Sequence, residues 1–342
     1  MSLWIDILLA SLAVALAIRC LVSPTLTKCV FLFFAFGLTL ALSWARLGAV
    51  DVAIAEAAIG AGFLGVLLID ALRDFPPSQA NAGRGRGRGR VRLGAVLTSL
   101  IAVTLFLLLA LEAVWSVADG GGLTARAAEN LERSGVDHPV TAVLLNYRSY
   151  DTWLEVGVVL IALLAIFAVG NGGTFARRKH FKPDPLLVPV IRLLAPVLFL
   201  VGGFLLYLGK TEPGGAFQAA VLWGAAGILL YLGGWPVMSS FPRWLLYIVL
   251  TIGFGLFMLL GLAFMRAGGA WFEYPPAHAG NWILLIETLA ALSIAAALTA
   301  IFAFFHEMRG TTASASAEGE IGSTHSDSVS DSSRRSTTPP EG

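Results

Sequence analysis

The chain has 342 residues, of which 57% are hydrophobic and only 13% are charged. Soluble domains carry about 25% charged residues, so this chain has too few polar side chains to cover a water-facing surface. Composition therefore excludes a soluble protein and predicts an integral membrane protein. The formal net charge of +1 also argues against nucleic acid as a partner, because phosphate binding needs a broad basic excess.

Nine stretches are apolar enough and long enough to cross a bilayer, which requires about 20 residues of α-helix. Each is predicted to be helical, because in lipid every backbone N–H and C=O must be paired within its own segment. The sequence thus predicts an all-α, polytopic helical membrane protein with about nine transmembrane helices. The predicted spans are residues 3–21, 27–44, 50–72, 94–117, 153–169, 187–208, 217–235, 244–264 and 281–305.

The distribution of Lys and Arg predicts the orientation, because cytoplasmic loops carry an excess of both. Most of the 23 basic residues fall after the first, third, fifth and seventh spans and in the C-terminal tail. The decisive segments are the Gly-Arg run of residues 83–92 and the basic stretch 177–182. Both are predicted to be cytoplasmic, which places the N-terminus outside and the C-terminus inside. The Gly-Arg run lacks the interleaved aromatic residues of an RNA-binding arm.

Two segments differ from ordinary loops. The outer segment, residues 118–152, holds charged residues beside several large apolar ones. That mixture predicts docking on the membrane surface or on a partner subunit. The tail, residues 309–342, is rich in Ser and Thr with almost no large apolar side chain. It is predicted to be disordered, because it cannot bury enough surface to fold.

Ionisable residues inside the predicted spans are few, and each is a functional candidate, because inserting a charge costs about 2.5–3.5 kcal/mol. Glu56 stands out because Ala and Gly surround it, which lets a neighbouring helix approach closely. Its carboxyl is predicted to bind and release protons. The alternative is a packing hydrogen bond between helices, worth about 0.6 kcal/mol. The other acids considered for an ion path are Glu112, Glu155 and Glu287, for which structural roles stay open.

The sequence shows no signature of an enzyme. The GxSxG, Walker, HExxH and CxxC patterns are absent, and the five His residues lack the spacing of a haem or metal pair. Cys20 and Cys29 match no disulfide or metal framework and are interpreted as small membrane-embedded hydrophobes. We therefore predict no catalytic residue, no metal site and no cofactor.

A Pro-Gly-Gly sequence between the sixth and seventh spans predicts a tight turn, because Gly allows positive φ and Pro fixes its own φ. Pro213, Gly214 and Gly215 form this turn, and Phe217 and Gln218 then open the next helix. The motif and its flanking helices resemble the B subunit of multisubunit Mrp-type cation/proton antiporters, which carries a PGGGFQGG-like turn. The chain departs from that pattern by small-for-small changes at Ala216, Ala219 and Ala220.

Two further segments resemble modules of the same family. Residues 51–62, DVAIAEAAIGAG, are similar to a helix of the small hydrogenase-type D module. Residues 138–155 resemble the E-type module that follows it, although Asn146 stands where the family often has Asp. The resemblance implies that Glu56 lies on the proton or sodium route and that Glu287 is the acid such proteins often bury in the last helix.

The resemblance implies a fused D–E–B polypeptide in five parts. These are a three-helix D-type module (1–75), a basic cytoplasmic loop (76–93), a two-helix E-type module with its outer segment (94–172), a four-helix B domain (184–308) and the tail (309–342). It further implies a multi-pass subunit of a Na⁺/H⁺ antiporter in a bacterial inner membrane, with A-, C- and D-type subunits as partners. Two alternatives stay open: a membrane-arm subunit of a hydrogenase-like or complex I-like redox complex, and a purely structural subunit.

Overall fold

The computed structural model describes residues 3–72, 90–118, 122–169, 185–237, 242–267 and 269–334. Over these ranges the chain is helical and contains no β-strand, which confirms the all-α class. The main helices are α1 (Leu3–Val22), α2 (Leu26–Arg46), α3 (Val50–Ala71), α4 (Arg90–Ala118), α5 (Gly122–Glu129), α6 (Ser149–Val169), α7 (Leu187–Leu208), α8 (Ala216–Leu232), α9 (Arg243–Arg266) and α10 (Ala279–Arg334).

Seven helices in the described part of the chain are long and apolar enough to cross a membrane. Two shorter apolar segments, Ser99–Glu112 within α4 and Ala216–Leu232, occupy the positions of the fourth and seventh predicted spans. The polytopic membrane class is therefore confirmed, while the count of nine and the orientation stay predictions. The Gly-Arg run, except its last three residues, and the basic stretch 177–182 lie outside the described residues.

Helices α1 and α2 form an antiparallel hairpin. Arg46 Nε donates to Asp6 Oδ1 at 2.8 Å, which joins the end of α2 to the start of α1. At the opposite end of the hairpin, the sulfurs of Cys20 and Cys29 lie 3.2 Å apart as free thiols. No residue pattern predicts this proximity, because it depends on how the two helices cross.

Helix α3 is irregular at its centre, where Glu56–Phe63 is π-helical. It packs against α2 through small residues: a Cβ added at Gly37 would lie 3.5 Å from the Ala61 Cβ. Gly65 brings the Phe34 ring even closer to the α3 backbone, since an added Cβ would be 2.7 Å from that ring. Small residues at a membrane-helix interface allow such close approach.

Helices α7 to α10 form a four-helix unit whose centre is α10. Ala219 and Ala220 of α8 are fully buried against Ala291 and Ile294 of α10. On α9, a Cβ added at Gly253 would lie only 2.8 Å from the Ala290 Cα. The small-for-small changes in the turn motif therefore suit a contact that admits only small side chains.

The outer segment docks on the chain's own helices. Val136, Ala142 and Leu145 are buried with Phe257 of α9 and Ile283 of α10 in one apolar cluster. The sequence predicted docking on the membrane or on a partner subunit; the structure instead provides this surface from α9 and α10. Apolar residues indicate that a segment must be covered, but they do not indicate by what.

Two further differences concern α4 and the tail. The large apolar side chains of α4 between residues 97 and 111 are exposed on every side of the helix. Helix α10 continues to Arg334, so the prediction of disorder is wrong for residues 310–334. A helix that is already formed extends without a new nucleation cost, and the tail holds several Ala and Glu residues that favour helix. Residues 335–342 lie outside the described chain.

Candidate functional site

Glu56 begins the π-helical part of α3. Its carboxyl lies over Gly60, where an added Cβ would be 2.4 Å from Glu56 Oε1. A Cβ added at Gly37 of α2 would be 3.5 Å from the same oxygen. Two glycines therefore provide the space that this carboxyl occupies between α2 and α3, and π-helical turns are frequent at functional sites.

The Pro-Gly-Gly turn brings backbone close to backbone. A Cβ on Gly214 would lie 2.3 Å from the Leu205 carbonyl oxygen, and one on Gly209 would lie 2.9 Å from the Gly215 Cα. Gly215 itself has φ +123°, a conformation that side-chain-bearing residues rarely adopt. The predicted turn is thus present, and each of its glycines is required by close approach or by backbone angle.

Glu287 of α10 is held by this turn. The Ala216 N–H donates to Glu287 Oε1 at 3.3 Å, and a Cβ on Gly215 would lie 2.8 Å from that oxygen. The residue is 3% exposed, and its second oxygen, Oε2, has no hydrogen-bond partner among the described residues. A buried polar atom without a partner is costly in a folded protein, so it marks a position with a further role.

Asp51, at the start of α3, joins three parts of the chain at the same place. Its Oδ1 accepts from the Gly214 N–H at 3.0 Å, and its Oδ2 lies 3.5 Å from Nε2 of His138 in the outer segment. Gln218 Nε2 donates to the Asp51 carbonyl at 3.4 Å. Two backbone N–H groups of the outer segment, those of residues 137 and 138, donate to the Lys210 carbonyl.

A cavity of about 280 Å³ opens at this junction. It is bounded by α3, the outer segment, the start of α6, the turn and α10. We call it the junction cavity. The polar side chains that line it are Asp51, Thr141, Thr152, Glu155, Gln218 and Glu287.

The structure therefore brings together Glu155, Glu287 and the turn motif, including Phe217 and Gln218, all of which the sequence had singled out. Glu56 stands apart, one turn deeper in α3, and does not line the junction cavity. Glu112 is exposed on α4 and meets none of the other acids.

Sequence reasoning missed Asp51 and His138 as part of this site. Both belong to segments that carry the family resemblance, so the signal was present. Each stands at the edge of a span, however, where water relieves a charge and a polar residue needs no special explanation. Their pairing depends on a contact between distant parts of the chain, which no local pattern shows.

A second Asp–His pair lies at the other end of α3. Asp70 Oδ1 is 3.8 Å from His306 Nδ1 on α10, and the His306 ring stacks on Phe302 at a centroid distance of 5.8 Å. Asp70 is 9% exposed. Helix α3 is therefore bound to the rest of the chain at both ends, by Asp51 at the turn and by Asp70 at α10.

Fold and site together define a polytopic α-helical membrane subunit assembled from modules. Residues 11–77 match the MbhD family, described as the D-type subunit of MBH, and residues 186–306 match the "domain related to MnhB subunit of Na+/H+ antiporter". The chain belongs to the Mrp/Mnh-type antiporter family, as a fusion of these two domains. The resemblance seen in the sequence is thereby confirmed.

Two solved structures resemble the chain. A chain of the Mrp complex from Dietzia sp. aligns with a TM-score of 0.68 at 22% identity, over 87% of this chain and 34% of that one. A chain of the membrane-bound sulfane sulfur reductase, an archaeal respiratory membrane complex, aligns with a TM-score of 0.46 at 22% identity, over 61% and 98%. The chain thus spans about a third of the Dietzia chain. No curated protein gives a significant match.

Proposed function

We propose that this chain is a subunit of a monovalent cation (Na⁺)/proton antiporter in a bacterial inner membrane, and that Glu56 lies on its ion path. Two family domains of such complexes in one polypeptide support the proposal. The chain itself would not exchange ions, since the resemblance assigns it only the D-, E- and B-type modules. It would act with A-, C- and D-type partners.

The observation that carries the role of Glu56 is the space made for its carboxyl. A carboxylate between two membrane helices needs a reason to be there, because lipid-buried charge is costly. Gly60 and Gly37 leave room beside it, and the π-helical turn changes which backbone groups are paired around it. A structural carboxyl would more simply be enclosed by donors, as Asp51 is.

Docking on neighbouring subunits is the second part of the proposal. Helices α1 and α4 present large apolar side chains to their surroundings, and no residue of α1 is buried. Lipid covers some of this surface in any membrane protein. The remainder is proposed to contact the other subunits of the complex.

The test is ion exchange by the complete complex in everted vesicles from a host without antiporters. Glu56→Gln keeps the size of the side chain and removes its exchangeable proton. We expect Na⁺-dependent collapse of a pH gradient to fall at least about 100-fold, within the range for losing a proton-transfer group, while native gels show an intact complex. Glu112→Gln, on the exposed face of α4, serves as the matched control and should exchange normally.

Two outcomes would redirect the proposal. Normal exchange by Glu56→Gln would leave the chain with a structural role. If the wild-type complex exchanges no Na⁺ and co-purifies with iron–sulfur or nickel–iron subunits, the chain belongs to a redox complex instead. The D-type domain matches a family described for MBH, which is why this second candidate stays in view.

A further inference from the structure

The junction cavity contains more hydrogen-bond acceptors than donors. The Thr152 hydroxyl donates to the Leu144 carbonyl at 2.7 Å, which leaves the hydroxyl oxygen as an acceptor. The Gln218 amide donates its N–H to the Asp51 carbonyl, so its Oε1 stays available. Thr141 donates to the Gly209 carbonyl. The side-chain protons of these three cavity-lining residues are thus used elsewhere.

Glu287 adds a negative charge to this surplus of acceptors. Its Oε1 takes the Ala216 N–H, whereas its buried Oε2 has no partner among the described residues. A buried carboxylate oxygen without a donor requires a cation or another proton donor to compensate it. The cavity that Glu287 lines, about 280 Å³, is large enough for an ion with some of its water, since one water occupies about 30 Å³ in the liquid.

The donor set indicates the class of cation. Carboxylate, hydroxyl and amide oxygens are hard ligands, which suit alkali and alkaline-earth ions rather than copper or zinc. Among the described residues, no three His, Cys, Asp or Glu side chains lie close enough together to hold a metal ion. One orphaned carboxylate oxygen surrounded by neutral oxygens balances a single positive charge better than a double one.

We propose that the junction cavity is a binding site for a monovalent alkali cation, with Glu287 Oε2 as its charged ligand and the oxygens of Thr152 and Gln218 as neutral ligands. This inference rests on the proposed antiporter function, for which it names an ion site separate from Glu56. It also gives the Pro-Gly-Gly turn a task. The turn holds Oε1 through the Ala216 N–H and leaves Oε2 for the ion.

Gly215 is then a positioning residue for Glu287. An added Cβ would lie 2.8 Å from Glu287 Oε1 and 3.7 Å from Gln218 Oε1. Gly215→Ala should therefore displace two of the proposed ligands without removing either. Supporting groups around a metal ligand are typically worth about 10- to 100-fold in affinity, and we expect a loss of that size.

The experiment is equilibrium binding of ²²Na⁺ to the purified complex that contains the full chain, with N-methylglucamine chloride holding ionic strength constant. Glu287→Gln should lower the bound Na⁺ by about one ion per copy of the chain, because each site holds one ligand. Glu287→Asp keeps the charge but withdraws it by one methylene, and should weaken binding about 10- to 100-fold. Glu273→Gln, an acid outside the cavity that accepts from the Ala270 N–H, is the control and should bind as wild type does.

Several results would overturn the site. One is unchanged Na⁺ stoichiometry and affinity in both Glu287 variants of an assembled complex. If Glu287→Gln fails to assemble, Glu287→Asp and Gly215→Ala decide, and normal binding by both refutes the proposal. The site and the antiporter function can fail separately. Saturable binding that depends on Glu287 in a complex that exchanges no Na⁺ would keep the site and reject the function, whereas exchange with unchanged binding in both variants would do the reverse.

Discussion

Replacing Gly214 by alanine should prevent the chain from reaching its folded, assembled state. A Cβ at this position would lie 2.3 Å from the Leu205 carbonyl oxygen, and because that oxygen is backbone, it cannot rotate away. The Gly214 N–H also donates to Asp51, so moving the turn would break this contact too. Overpacking in a tight core costs about 1–3 kcal/mol, and we expect the upper end of that range. Thermal unfolding followed by fluorescence-detected size exclusion measures the effect.

Gly203→Ala supplies the matched control for this change. Gly203 lies in α7, where an added Cβ would meet no atom within 4 Å. Because alanine favours helix over glycine by about 1 kcal/mol, this variant should be as stable as wild type or slightly more so. If both substitutions left stability unchanged, the close approach in the turn would not matter to the fold.

Removing the carboxylate of Asp51 should separate the modules that meet at the turn. Asp51→Ala leaves the Gly214 N–H without its acceptor and His138 without its ion-pair partner. An unsatisfied buried donor costs about 1–3 kcal/mol, with more for charged partners. We expect a marked loss of thermal stability and of assembled complex on native gels. Asp51→Asn should be milder, because its amide oxygen can still accept from Gly214.

A double-mutant cycle with His138→Ala distinguishes the contributions. If Asp51 acts mainly through His138, the double variant should be little less stable than Asp51→Ala alone, since the interaction is already lost. Additive losses would show that the two residues are not coupled. Equal stability of Asp51→Ala and wild type would contradict the claim that Asp51 joins the modules.

The sequence was sufficient for the helices and for the turn. Long apolar runs must be helical in lipid, and α7 begins and ends where the sixth predicted span does. The two glycines of the turn were recognisable because Gly is used where backbones meet or φ is positive. These features depend on local composition, which is why one sequence reveals them.

The site was only partly predictable. Asp51 and Gly214 are 163 positions apart in the chain, and Glu287 and Ala216 are 71 apart. Contacts of that range follow from how modules pack, which residue patterns do not encode. The π-helical segment at Glu56 was equally hidden. Gly60 and Gly62 indicated that an irregularity could be tolerated there, but not that one would form.

The acids form two groups in the folded chain. From sequence alone, Glu56 was the leading candidate, and Glu155 and Glu287 were two further acids near span ends. In the structure, Glu155 and Glu287 share a cavity with Asp51, and Glu56 lies apart beside Gly60. Ion passage through this chain would therefore involve two positions, one in α3 and one at the meeting of the three modules.

The most direct test of the central proposal is complementation of Na⁺/H⁺ exchange. Everted vesicles are prepared from an antiporter-deficient host that expresses the complete complex, the complex without this chain, or the latter with the chain supplied from a second gene. The proposal predicts Na⁺-dependent dissipation of the pH gradient with the complete complex, its loss without the chain, and its recovery on re-supply. Full exchange by a complex shown on native gels to lack this chain would contradict the proposal.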